Sequence, residues 1–108
     1  MALPDLTKVA LQGQTTMRPN FMERVTFAGD DAYPADGTPD FQAYLETQLG
    51  RKPTVLQVHG YGFTGANITH LVNYDVANDK LLVYVLAGTP APASDLSAIT
   101  FDVIIAYR

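Results

Sequence analysis

The last 41 residues, Ile68 to Arg108, constrain this chain more than any other stretch, because hydrophobic character alternates there for three long runs. Ile68, His70, Val72 and Tyr74 alternate with Thr69, Leu71 and Asn73. Lys80, Leu82, Tyr84 and Leu86 alternate with Leu81, Val83 and Val85, and Ile99 to Tyr107 repeats the pattern. Successive side chains of a strand point to opposite faces, so period two predicts a sheet with two distinct faces. Val76-Ala77-Asn78-Asp79 separates the first two runs, and Asn and Asp tolerate the left-handed backbone of hairpin turns.

Upstream, Thr7 to Gln12 and Phe21 to Ala28 predict two more strands, and Thr54 to Gly62 another, ended by Gly60, Gly62 and Gly65. The segment 29–37 is rich in Gly, Asp and Pro and predicts a solvated turn. One helix is expected from Thr38 to Leu49. Thr38 suits its N-cap, Pro39 its first position, and Gly50 its C-terminal cap. Phe41, Tyr44, Leu45 and Leu49 form a single apolar stripe, so this helix must lie on the sheet. The expected fold is therefore mainly β, an antiparallel β-sandwich or barrel with one short helix, about residues 38–49. Residues 21–108 read as one β domain and residues 1–20, polar and broken by Pro19, as an N-terminal arm that orders on a neighbour.

With 108 residues the chain has room for one core. A net charge of −4 and scattered Lys and Arg weigh against a nucleic-acid partner, which requires a basic patch. The longest apolar runs, Leu81 to Ala87 and Val103 to Ala106, fall short of the roughly 20 residues of a membrane span. The first residues lack the basic and apolar regions of a signal peptide, which predicts synthesis in the cytoplasm. Cysteine is absent, so neither disulfides nor thiolate chemistry enters.

No constellation predicts catalysis. Val55 to Gly62, with His59-Gly60, resembles the oxyanion-hole strand of α/β-hydrolases, but Ser94 and Ser97 lack the Gly-x-Ser-x-Gly elbow. His59-Gly60 therefore predicts a strand end with a glycine turn. His59 and His70 with Asp75, Asp79 or Asp102 lack metal-ligand spacing, and Asp30, Asp31 and Asp36 lack that of a calcium loop. No lysine follows Gly60, Gly62 and Gly65 as a phosphate loop requires. No catalytic residue, cofactor or metal is expected. Tyr61, Phe63, Tyr74, Tyr84, Phe101 and Tyr107 would serve a pocket or stacking platform, or fill core and interface.

Both rows of the last strands are apolar, and such strands need cover on both sides. One short helix covers part of one face. The second row, Leu81, Val83, Val85 and Ile104, is therefore the candidate interface with another chain.

The hairpin also carries a resemblance. Asn73-Tyr74-Asp75, Asn78-Asp79-Lys80-Leu81 and Val83-Tyr84-Val85 resemble small virion proteins of tailed bacteriophages, as do Asp95-Leu96-Ser97-Ala98, Thr100-Phe101 and the apolar finish. The likeness covers about the last third of the chain. It implies a capsid decoration (cement) protein or another minor structural protein of the virion, without an active site. Such a protein would be made in the host cytoplasm, form homo-oligomers, and bind the major capsid protein or another virion protein. The competing expectation is a small ligand- or carbohydrate-binding β-barrel module, such as a tail or receptor-contact domain.

Overall fold

The computed structural model describes residues 3–9, 21–50 and 52–108. Their strands are β1 (Thr7–Val9), β2 (Phe21–Ala28), β3 (Val55–Thr64), β4 (Asn67–Asp75), β5 (Lys80–Val85) and β6 (Thr100–Tyr107), with one helix, α1 (Phe41–Leu49). All six strands join one antiparallel sheet in the order β1-β2-β6-β3-β4-β5. The mainly-β, antiparallel architecture with one short helix is the one the alternation predicts. Its layering is specific: the described strands make a single sheet, and α1 with the loop residues Tyr33, Ala91, Leu96 and Ile99 forms the second layer over the core.

β6 lies at the centre and sets the inner face. Phe101, Val103, Ile105 and Tyr107 are all buried, whereas Asp102, Ile104 and Ala106 on its other side are half-buried. Val25 and Phe27 of β2 continue the inner row, with the Phe27 and Phe101 rings stacked at 5.8 Å. Val55 and Val58 of β3 are both buried although three residues apart. An extra residue, Leu56, breaks the register against β6 between Val55 and Gln57, and this bulge turns both valines inward. Simple alternation would place Val55 and Val58 on opposite faces; the bulge puts them on one.

β3 also continues through its glycines to Thr64, where the sequence alone predicts a glycine turn at Gly60. The turn comes at Gly65, which has a φ of 64°. Gly60 and Gly62 sit inside the strand because β6 and the residues leading into it approach closely there. A Cβ on Gly60 would stand 2.6 Å from Val103 Cα, and one on Gly62 would stand 2.8 Å from Ile99 Cγ2.

α1 begins two residues later than its capping signals suggest, with Phe41 rather than Pro39 in the first position. Thr38 pairs with Leu81 as an isolated bridge and donates its hydroxyl to the Asp30 carboxylate at 3.0 Å. The residue preceding the helix is Asp40, left-handed at φ 58°, and its side chain caps nothing. The cap comes from the β4–β5 turn instead. The Gln42 N–H donates to the Asp79 carboxylate at 3.1 Å, and the Tyr74 hydroxyl donates to the same carboxylate at 2.6 Å. An anion there also complements the helix dipole. Gly50 closes the helix as expected, left-handed at φ 83° with its N–H on Glu46 O. Phe41 and Leu45 are fully buried, and Tyr44 and Leu49 pack against the core, which is the predicted stripe.

Two expectations change in the connections. Asp30 is 1% exposed, so the loop expected to be solvated is anchored inward, with Asp30 accepting from Ala32 N–H as well as from Thr38. Residues 3–9 belong to the domain rather than to an arm. Leu3 and Leu6 pack on the core, Tyr44 donates its hydroxyl to Pro4 O at 2.7 Å, and β1 pairs with β2. The remainder of the expected arm, 10–20, lies outside the described residues, as do residues 1 and 2.

The Asp79 carboxylate thus joins hairpin, helix and a buried tyrosine. Asp79 has a φ of 54°, so Asp79→Gly relieves the backbone while removing the acceptor. We expect a loss of about 1–3 kcal/mol, the cost of leaving such partners unsatisfied, read as a lower denaturant midpoint. Asp79→Asn, which retains one acceptor oxygen, should lose less.

Candidate functional site

The side of the sheet away from α1 carries the most distinctive surface. Pairing places Arg24, Ile104, His59, Leu71 and Tyr84 on this outer side, on β2, β6, β3, β4 and β5 in turn. Tyr61, opposite both Asp102 and Leu71, shares it. Together with Phe63 and Asn73 these residues surround a depression of about 590 Å³. Its floor is the glycine-bearing part of β3, since Gly60 contributes lining but no side chain.

Aromatic and aliphatic groups dominate the walls. Tyr61 is 50% exposed, and Phe63, Leu71, Tyr84 and Ile104 are half-buried, a mixed exposure that leaves ring and methyl surface toward solvent. One charged pair stands at the side. Arg24 Nε donates to Asp102 Oδ1 at 2.9 Å and Nη2 to Oδ2 at 2.6 Å, a two-point contact across the β2–β6 pair. This bonding holds the Asp102 carboxyl below its ordinary value and the Arg24 guanidinium above its own. The pair is partly solvated, so salt screens it and it orients groups more than it stabilises the fold.

The residues predicted as an interface divide between the faces. Leu81 and Val83 are 2% and 3% exposed and lie in the chain's own core, with Val85 packed against it. Their assignment to an outer row is corrected: the row Lys80, Leu82 and Tyr84 faces outward instead. Ile104 does stand on the outer side, between Arg24 and His59 in register. The polar residues carry the signal that was missed. Asp75 pairs with Lys80 and Asn73 with Leu82, so the hydrophilic positions mark the outer row, while Leu81 and Val83 align with Tyr74 and Val72. Of the six aromatics, Tyr61, Phe63 and Tyr84 line the depression, and Tyr74, Phe101 and Tyr107 are buried.

The elements of the weighed catalytic motifs do not converge. His59 lies on the outer side, whereas His70 faces inward opposite Gly62, with its ring near Phe101 and burial lowering its basicity. Ser94 and Ser97 do not line the depression with His59, and Ser94 donates its hydroxyl to Pro92 O. Among the described residues no cluster of three or more His, Asp or Glu side chains could hold a metal. Chemically, the face can bind and orient a partner through rings, methyl groups and one ion pair.

Two measurements test this geometry. Gly60→Ala forces a methyl group against Val103, and overpacking of this kind should cost about 1–3 kcal/mol, seen as a lower melting temperature. The second concerns pH. Asp102 has a folded pKa below its ordinary 3.8, so its bonding stabilises the fold above that value and is lost as pH falls through the lowered one. Wild type should therefore melt above Asp102→Asn near neutral pH, and the gap should close in strong acid and shrink with added salt.

Compared with protein-family descriptions, curated proteins and solved structures, the chain has a match in none of them.

Proposed function

We propose that this chain is a non-catalytic structural protein of a bacteriophage virion, of the capsid decoration kind, which oligomerises and binds the particle lattice through protein contacts. The observation that carries the reading is the uncovered outer face. A sheet whose other side is closed by α1 leaves Tyr61, Leu71, Tyr84 and Ile104 on a side that no described segment covers. Contiguous surface of this sort on a small domain marks a contact site. The likeness of the β4–β5 hairpin and the final strand to small virion proteins supplies the setting.

Closure of the β5 edge supports assembly by faces rather than by strand addition. Thr38 exchanges two backbone hydrogen bonds with Leu81, Ala91 N–H donates to Val83 O, and Val83 N–H donates to the Tyr33 hydroxyl at 2.9 Å. That edge has its hydrogen-bonding groups occupied, a common guard against uncontrolled pairing.

A second reading has its own observation. The depression combines ring surface with Arg24, His59, Asn73 and Asp102, a mixture suited to a small polar ligand such as a saccharide. The two readings part in one experiment. Purified chain is mixed with capsids assembled from the major capsid protein of the same source and sedimented. Saturable co-sedimentation is the expected result. Failure to bind capsids or any other virion component, together with titratable binding of an oligosaccharide, overturns the assembly role in favour of the second reading.

A further inference from the structure

We propose that the outer face is where two copies of this chain meet, sheet against sheet, so that an intermolecular β-sandwich forms across a two-fold axis. The inference rests on the assembly role above and names the occupant of the uncovered face.

Area is the first argument. Six strands of three to ten residues, rising ~3.3 Å per residue and spaced ~4.8 Å apart, present a face of roughly 700 Å². A stable pair of proteins buries about 800 Å² per partner, so one face comes close to meeting that requirement. Face-to-face packing of twisted sheets is also an established way to bury such rows.

Charge is the second. The chain carries 11 acidic residues against seven basic ones, and most surfaces of two copies would repel. On the outer side of the described strands the charged residues are Arg24, Asp75, Lys80 and Asp102, and Lys80 is paired with Asp36 at 2.9 Å. Asp102 is held by Arg24, and Asp75 is turned into its own hairpin, where it accepts from Asn78 Nδ2 at 2.8 Å. A two-fold contact brings the same patch against itself and so requires self-complementary charge. One guanidinium beside one carboxylate is such a pattern, and Arg24 retains N–H donors beyond the two given to Asp102.

Shape is the third. Tyr61 stands half in solvent beside a depression of about 590 Å³, so each copy offers both an aromatic anchor and a recess. Buried tyrosines in recesses dominate the energy of many interfaces.

The test is sedimentation equilibrium on the full chain, with circular dichroism to verify folding. Wild type should be a dimer, and Tyr61→Asp and Ile104→Asp should be folded monomers, their dissociation constants raised about tenfold or more. Val76→Asp, on the 62% exposed tip of the β4–β5 turn, should leave the dimer intact. Should Ile104→Asp fail to fold, Tyr61→Asp carries the test, since its side chain is half in solvent. Wild type that stays monomeric at ~100 μM overturns the proposal, as does a dimer indifferent to both substitutions. A monomer that still co-sediments with capsids overturns the dimer and leaves the assembly role standing. A dimer broken by Tyr61→Asp that binds no virion component upholds the inference and removes that role.

Discussion

Everything in this fold is built against β6. The C-terminal strand lies between β2 and β3, pairing with eight residues of β2 and with β3 over most of its length. Its inner row of Phe101, Val103, Ile105 and Tyr107 is the floor on which the other core residues rest. Placing the last strand at the centre joins distant parts of the chain: Arg24 and Asp102, paired across β2 and β6, are 78 residues apart. Closing loops of that size costs entropy before any contact compensates, which disfavours early pairing of β2 with β6 relative to the local hairpins. The hairpins β3–β4 and β4–β5 are the local units from which it can grow.

The closeness of β3 to β6 then decides the glycines and, through them, the outer face. Gly60 and Gly62 present no side chain toward Val103, Ile99 and Phe101, and the strand approaches where any Cβ would collide. On the other side of the same strand, His59, Tyr61 and Phe63 have full side chains, and they form part of the wall of the depression. One alternating segment therefore does two jobs. Its inward positions are empty so that the core closes, and its outward positions are large so that the face is populated.

Much of this was legible in the sequence, for identifiable reasons. The β4–β5 hairpin followed from alternation together with Asn78 and Asp79, and Asp79 does adopt the left-handed backbone at φ 54°. Gly50 and the stripe through Phe41 and Leu45 located the helix and its buried side. What escaped depends on tertiary partners. The cap of α1 comes from Asp79, 37 residues away from Gln42, where local spacing pointed to Thr38. The bulge at Leu56 has no composition signature, and it shifts Val55 inward against simple alternation. Of the expected interface row, Ile104 stands on the outer side, whereas Leu81, Val83 and Val85 belong to the inner row. When both rows of a strand are apolar, hydrophobicity alone does not choose between them; the polar positions across the hairpin do.

The protection of the β5 edge and the openness of the outer face follow from one arrangement of loops. Tyr33 and Thr38 reach the edge from the connection between β2 and α1, and Ala91 reaches it from the connection between β5 and β6. Asp30, buried at 1% exposure, ties the first of these loops by accepting the Thr38 hydroxyl, and its carbonyl receives Leu96 N–H from the second. A carboxylate in that setting needs its hydrogen bonds, because a buried charge without them is costly. Both connections are thereby held on the α1 side, where they complete the inner layer. The chain has used its spare segments to close one edge and one face. The outer face carries rings, methyl groups, His59, Asn73, the Arg24–Asp102 pair and, at the hairpin end, Asp75 and Lys80, and no described segment covers it. Contact through that face would leave the hydrogen-bonded sheet unaltered, which edge pairing would not, so a guarded β5 edge and an open outer face are two consequences of one arrangement of loops.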